Sequence, residues 1–167
     1  MTQVQQTVGG KIVNIPASVT RPADTTAYAA NDLVANSATA GSVVPLSWSV
    51  GRYSGGSVCI RRGKLSKTAT STTNASFRLH LYTSSPTVTN GDNGAWVSTE
   101  SGYLGAIDIT VDRAFSASAA GIGVPVAGSE INAVLTGTTL YGLLEARGAY
   151  TPASGEMFTV TLELWQN

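Results

Sequence analysis

Short segments in which apolar and polar residues strictly alternate constrain this chain more than any other feature. The clearest is 158–165, FTVTLELW, where every second residue up to Leu164 is a large apolar one. A period of two places alternate side chains on opposite faces of a strand, whereas a helix would spread the apolar residues around its circumference. The same alternation occurs in 77–82 and 103–112. These three segments therefore predict half-buried strands.

Weaker strand signals recur along the chain, and Gly, Asn, Pro or Ser clusters bound each of them. The composition agrees with strands and turns, since the chain has 18 Gly and few gathered helix formers. Seven or more short strands separated by turns predict an all-β, single-domain β-sandwich, jelly-roll-like or Greek-key. The weaker candidates are Val43–Val50, Ser57–Lys64, Glu130–Leu135 and Thr139–Arg147.

The length of 167 residues fits one ordinary domain. We expect the sandwich to occupy 11–167 and Met1–Gly10, which is polar and ends in two glycines, to form a flexible arm. The segment 16–40 is poor in branched apolar residues. It is expected to be irregular, and a long arm over the sandwich is one alternative for it.

Cysteine content and hydropathy indicate the compartment. Cys59 is the single cysteine, so the chain has no internal disulfide. No apolar run approaches the roughly 20 residues that a membrane-spanning helix needs, and the polar start of the chain does not resemble a signal peptide. We expect a protein made in a reducing cytosol, with no membrane partner.

The charges cancel in total but are unevenly distributed. The zero net charge argues against nucleic acid as a partner, because phosphate binding needs a basic excess. Residues 1–80 hold eight Lys or Arg against two Asp, and 81–167 hold two Arg against eight Asp or Glu, so the halves carry about +6 and −6. An intertwined domain would mix these charges into a neutral surface. The alternative is head-to-tail complementarity between copies.

Residues for catalysis are scarce. His80 is the only histidine, which excludes sites built on several histidines, and the single cysteine excludes cysteine-rich zinc sites. No G-x-S-x-G elbow is present. We expect no enzyme, no cofactor and no metal, and we place His80 at the surface or an interface. A small hydrolase, the alternative, would need a pocket that joins His80 to a carboxylate and a serine.

Two polar runs have a functional and a structural interpretation. Arg61, Arg62, Lys64 and Lys67 could hold phosphate, but the run lacks interleaved aromatic residues, which favours a solvated or intersubunit face. The run Asn90–Gly94 has the composition of a calcium loop. Its spacing fails that pattern, and Asn or Asp beside Gly is ordinary in turns.

Aromatic residues raise the alternative of sugar binding, because exposed rings stack on sugars. Packing in the core or at an interface is the competing interpretation of each. The candidates are Trp48, Tyr53, Trp96, Tyr103 and Tyr150.

Three segments resemble a known family. Val19–Val34, VTRPADTTAYAANDLV, is similar to a TRPA-[DN]-TTAY stretch that recurs in small structural proteins of tailed bacteriophages. Phe77–Trp96 resembles the strand, Pro-containing turn and DNxA-like element of the same proteins, and Tyr103–Gly105 resembles the short motif after it. The C-terminal third has no counterpart in this resemblance.

The resemblance implies a head-associated virion protein without a catalytic motif. We expect a capsid decoration or cement protein on the virion surface, assembled in the host cytoplasm. Its partners would be the major capsid protein or other virion proteins and further copies of itself, as a dimer or trimer. A tail, baseplate or fibre component that binds host glycans is the alternative. The candidate interface residues are Arg21, Pro22, Asp24, Tyr28, Asp32, Arg61, Arg62, Lys64, Arg78, His80 and Tyr82.

Overall fold

The computed structural model describes residues 10–167. Eleven strands and a short 3-10 helix, Ala40–Ser42, lie in this range. The strands are β1 (Lys11–Thr20), β2 (Leu33–Val34), β3 (Leu46–Ser49), β4 (Ser57–Lys67), β5 (Ser76–Tyr82), β6 (Tyr103–Thr110), β7 (Arg113–Ala114), β8 (Ala119–Gly123), β9 (Ile131–Val134), β10 (Thr139–Ala146) and β11 (Met157–Gln166).

The strands form two antiparallel sheets. One has the order β1-β11-β4-β8-β7, and β9 pairs with β4 next to β8. The other has the order β2-β10-β5-β6, and β3 pairs with β10 next to β2. β2 and β3 pair with successive parts of β10, and β9 and β8 pair with successive parts of β4, so each couple counts as one strand position. Without the two-residue edge strand β7, the eight positions run first, eighth, third, sixth in one sheet and second, seventh, fourth, fifth in the other. This is the strand order of a jelly roll, so the predicted all-β sandwich is confirmed.

The strands predicted from alternation are present. The segments 158–165, 77–82 and 103–112 correspond to β11, β5 and β6. Three of the weaker candidates contain β3, β9 and β10, and the fourth, Ser57–Lys64, covers β4 except for its last three residues. Two strands of five or more residues, β1 and β8, were not predicted. In β8 the sequence AAGIG lacks the usual alternation of large apolar and polar residues. In β1, Pro16 lowers the strand signal.

The segment 16–40 is only partly irregular. Residues 16–20 belong to β1, which pairs with β11 at the edge of its sheet. Proline is tolerated there because an edge strand leaves alternate N–H groups without a ladder partner. Residues 21–32 are irregular as predicted, apart from a bridge between Asp32 and Ala95, and they run over one end of the sandwich instead of leaving it.

The core lies between the two sheets. The apolar residues of β11, from Phe158 to Leu164, are fully buried. Phe77 of β5 packs edge to face on Phe158 and Tyr150, with ring centroids 5.4 and 5.5 Å apart. Trp48 crosses the core from the opposite sheet and donates its Nε1–H to the Val160 carbonyl at 3.1 Å. The apolar residues that alternate along the strands of both sheets therefore pack against each other in one shared core.

The sheets approach most closely where β8 passes β6. A Cβ on Gly121 would overlap the carbonyl of Thr110, and one on Gly123 would overlap that of Asp108. The strand path continues to Pro125, which bridges to Ile107. Glycine is required at both positions because backbone meets backbone there, and the two sheets are thereby joined along this side.

The flexible arm predicted at Met1–Gly10 lies outside the described residues, except for Gly10. Within residues 10–167 no helix has the length and apolar character that crossing a bilayer demands.

Candidate functional site

A buried polar network joins two loops that are distant in sequence. Arg21, with a fully buried side chain, donates from Nε to the Tyr28 hydroxyl at 2.9 Å and from Nη2 to Asp92 Oδ2 at 3.1 Å. Asp92 Oδ1 accepts from the Tyr28 hydroxyl at 2.7 Å and from the Ala35 N–H at 2.8 Å. Asp24 also accepts from Arg21 Nη2, at 2.9 Å. Since each buried charge has several partners, this network can fix the path of both loops.

Backbone pairing continues the junction. The Leu33 N–H donates to the Gly94 carbonyl at 2.8 Å, and the Asn93 N–H donates to the Leu33 carbonyl at 2.9 Å. The Trp96 N–H donates to the Asn31 carbonyl at 2.6 Å. The segments 19–34 and 77–96, which are distant in sequence, are therefore two parts of one structural unit.

A second polar cluster lies on the outer face of the sheet that contains β5. His80 Nε2 is 2.6 Å from Glu145 Oε2 on β10. The ring of Trp96 stacks on His80 at 4.0 Å between centroids, and Tyr103 packs beside them. Arg147 donates to Glu145 Oε1 at 2.8 Å. The loop 83–102 thus covers His80, although the alternation of β5 directs its side chain away from the core.

Burial is the largest influence on the pKa of His80. It lowers the pKa of the imidazole, against the opposite effect of Glu145. Nδ1 of His80 is buried and has no hydrogen-bond partner among the described residues. A histidine and a carboxylate are thus joined as a hydrolase would require. No serine hydroxyl within residues 10–167 bonds to the ring, so the third member of such a site is missing there.

Four of the candidate interface residues are buried, so the prediction that they lie at the surface is wrong. Arg21, Tyr28, His80 and Tyr82 are 2%, 1%, 6% and 0% exposed. The physical reason is that covering loops supply partners that a strand pattern does not reveal. The other candidates are exposed or partly exposed: Pro22, Asp24, Asp32, Arg61, Arg62, Lys64 and Arg78.

The basic run on β4 does not form a phosphate site. Arg61 Nε lies 3.2 Å from Glu130 Oε1, and Arg62 Nη2 lies 2.7 Å from Glu163 Oε2. Of the cations in this run, Lys64 alone makes no ion pair within the described part of the chain. A solvated or intersubunit face, the favoured interpretation, agrees with these contacts.

Lys67, the last residue of this run, is buried inside the sandwich at the end of β4. Its Nζ lies 3.2 Å from Glu156 Oε1 and 2.8 Å from the Tyr150 hydroxyl, and both ionic side chains are inaccessible. Burial lowers the pKa of Lys67, and the Glu156 carboxylate opposes that shift. Lys67 is therefore a structural residue of the core.

The charge asymmetry along the chain is neutralised inside the subunit. Strands from the two halves lie side by side, as β4 and β11 do, so the basic half pairs with the acidic half. The intertwined, neutral alternative is therefore favoured over head-to-tail complementarity. The Arg and Lys ion pairs that join the halves among the described residues are Arg21–Asp92, Arg61–Glu130, Arg61–Glu163, Arg62–Glu163, Lys67–Glu156 and Arg78–Asp108.

Two of the aromatic sugar-binding candidates, Trp48 and Tyr150, are in the core and not available to a ligand. Trp96 is partly exposed, and its ring stacks on His80. Tyr53 and Tyr103 remain exposed at separate places.

A better-placed ring was not singled out from the sequence. Trp165 is 37% exposed on the outer face of β11 and lines a shallow cleft with Arg61, Glu130 and Asn167. The period of two in β11 was the available signal, because it places Trp165 on the polar face with Glu163.

The loop that resembles a calcium site in composition uses its carboxylate internally. Asp92 accepts from Arg21, Tyr28 and Ala35, so both oxygens are occupied by donors. No group of three metal-ligating side chains forms anywhere in residues 10–167.

No protein-family model matches the chain, and a search of curated proteins finds no match either.

Proposed function

We propose that this chain is a non-enzymatic structural protein of a tailed-phage virion that binds the head surface as a decoration or cement protein. The observation that carries the proposal is the network of Arg21, Tyr28 and Asp92. This network joins the two segments that resemble phage structural proteins. Its three residues lie in those resembling segments and hold the two loops together as one assembly. The jelly roll is also a common fold of viral capsid proteins.

The surfaces suited to capsid contact lie at one end and one edge of the sandwich. Residues 23–27 are exposed, and the buried side chains of Arg21 and Tyr28 hold both ends of this loop. The long edge strand β1 pairs only with β11 among the described residues, and a strand from a neighbouring protein can extend such an edge. The proposed partners are the major capsid protein, other virion proteins and further copies of the chain.

Cryo-electron microscopy of purified virions tests the proposal. We expect density for this jelly roll in a regular arrangement over the capsid lattice, with the 23–27 loop or β1 against the shell. Density confined to the tail, or absent from the particle, would contradict head decoration.

A binding assay tests the contact surface separately. Recombinant protein is added to heads that lack it, and bound protein is measured after sedimentation. Thr25→Arg, in the exposed loop, should reduce binding at least tenfold, because a buried unpaired charge at an interface is costly. Ser71→Arg, an equally exposed change in another loop, is the matched control and should bind like wild type.

Trp165 favours a second candidate function, a tail, baseplate or fibre component that binds host glycans. The indole is 37% exposed, the Arg61 guanidinium lies over its ring at 5.8 Å from the centroid, and Glu130 and Asn167 supply hydrogen-bonding groups beside it. Glycan-array binding followed by calorimetry, with Trp165→Ala and the control Tyr53→Ala, tests this alternative. Micromolar binding that only Trp165→Ala abolishes would favour the tail candidate. No binding by the wild type would remove it.

A further inference from the structure

β8 and the residues that follow it as far as Val126 invert the usual strand pattern, because their apolar side chains lie on the outer face of the sheet. Ile122, Val124 and Val126 point outward and are 61%, 63% and 51% exposed. The residues that alternate with them, Gly121, Gly123 and Pro125, are buried. Branched aliphatic side chains thus face solvent, and glycine and proline face inward.

The neighbouring strands of the same sheet have the ordinary pattern. On β4 the outward residues beside this stretch are Arg62 and Lys64, and Lys64 pairs in register with Ile122. On β11 they are Thr161 and Glu163. The exposed aliphatic row is therefore a property of β8 that the adjacent residues of β4 and β11 do not share, although Ile12, Val134 and Trp165 are exposed elsewhere on the same sheet.

Contacts inside the subunit explain why the inward residues are small, but not why the outward residues are apolar. Gly121 and Gly123 are required because β6 passes against their Cα atoms. Nothing in residues 10–167 requires Ile122 and Val124 on the other side, where threonine would suit the strand equally well. Their apolar character therefore indicates contact with another molecule.

Phe115 extends this apolar row into a patch. It is 56% exposed and lines one surface concavity together with Ile122. We name Phe115, Ile122, Val124 and Val126 the β8 patch. Because its four side chains are 51% to 63% exposed, the patch offers about 400 Å² of apolar surface, the size of the largest apolar patch on a typical monomer, which is often functional. A standard interface buries about 800 Å² per partner, of which a little over half is apolar, so the patch supplies about what one such interface needs.

The charges around the β8 patch favour a second copy of this chain as the molecule that binds there. Lys64, Asp112 and Arg113 line the concavity, and none of them makes an ion pair within the described residues. Most other charged side chains of the subunit are paired. Because the unpaired rim carries both signs, a partner of a single charge would be repelled by part of it, whereas a second copy can oppose cation to anion around a two-fold axis.

From these observations we infer that the β8 patch is the surface by which two copies of this chain associate, with the two aliphatic rows packed on each other. The inference does not depend on where the protein sits in a virion.

Analytical ultracentrifugation of the purified full-length chain tests the inference. At concentrations up to about 100 µM, wild type should sediment as a dimer. Val124→Asp should shift the sedimenting species to monomer, because the dimer would bury two unpaired carboxylates. Val44→Asp is the matched control, since Val44 is 67% exposed and lies beside β1 and β3 instead. This variant should remain dimeric.

The outcomes are decisive if thermal unfolding shows that the variants are folded. Val126→Asp provides a second change in the patch if Val124→Asp does not fold. A monomeric wild type over the whole concentration range, or an oligomer that Val124→Asp and Val126→Asp leave intact, would overturn the inference.

Discussion

Replacing Asp92 by asparagine should destabilise the protein strongly, because this carboxylate is the centre of the network between the two loops. It accepts hydrogen bonds from Tyr28 at 2.7 Å, Ala35 at 2.8 Å and Arg21 at 3.1 Å. In Asp92→Asn one oxygen can still serve Tyr28 and Ala35. The new NH₂ group, however, faces the donors of Arg21 and leaves that buried guanidinium with Asp24 as its remaining acidic partner.

The magnitude follows from two opposing contributions. Breaking a buried ion pair by removing one partner costs about 3 to 5 kcal/mol. Burial raises the pKa of Asp92, which shows that the charged form bears a desolvation cost that asparagine avoids. We therefore expect a loss near the lower end, about 3 kcal/mol. At about 2 to 4 °C per kcal/mol for a chain of this size, the Tm should fall by roughly 6 to 12 °C.

Urea denaturation followed by circular dichroism measures this change in the free energy of unfolding. Glu100→Gln is the matched control, an acid-to-amide change at an exposed side chain of the same covering loop, and it should stay within about 0.5 kcal/mol of wild type. A double-mutant cycle of Asp92→Asn with Tyr28→Phe should give a coupling of about 0.5 to 3 kcal/mol. If Asp92→Asn unfolds like the control and the coupling is zero, the network does not hold the two loops together.

Three further predictions address other parts of the fold. Gly121→Ala should cost several kcal/mol or prevent folding, because its Cβ would overlap the Thr110 carbonyl. Gly41→Ala, which has open space around it, is the control and should be nearly neutral. Soluble yield and the midpoints of urea unfolding compare the two variants. Burial lowers the pKa of His80 below its ordinary value of 6.5, so the unfolded chain binds more protons as the pH falls below about 6.5 and stability should decrease there. Unfolding midpoints at acidic and neutral pH should show a steeper loss in wild type than in His80→Gln, and equal losses would contradict the assignment. Burial raises the pKa of Cys59, so its thiol should react with a disulfide reagent more slowly than free cysteine at the same pH, and a faster reaction would refute this.

The antiparallel jelly roll explains why the two charge-biased halves are stable together. A Greek-key path places β4 from the first half beside β11 and β8 from the second half. Arg62 therefore meets Glu163 across adjacent strands, although they are 101 positions apart in the chain. A biased linear sequence thus becomes a neutral surface through topology.

Local alternation by itself determined where the main strands run and which of their faces is buried. Phe158 and Leu162 are fully buried because a period of two in a strand leaves no other arrangement that hides both. The all-β class and the sandwich follow from several such segments, since each must bury its apolar face against another sheet.

Tertiary structure decided the features that depend on distant partners. Arg21 and His80 are polar and were expected at a surface, but Asp92 and Glu145, 71 and 65 positions away, allow them to be buried. Ile122 and Val124 have the composition of inward-facing strand residues, yet the close approach of β6 admits only glycine on the inner side and turns them outward. Both outcomes arise from contacts between chain segments that meet only after folding, so a pattern confined to neighbouring residues carries no information about them.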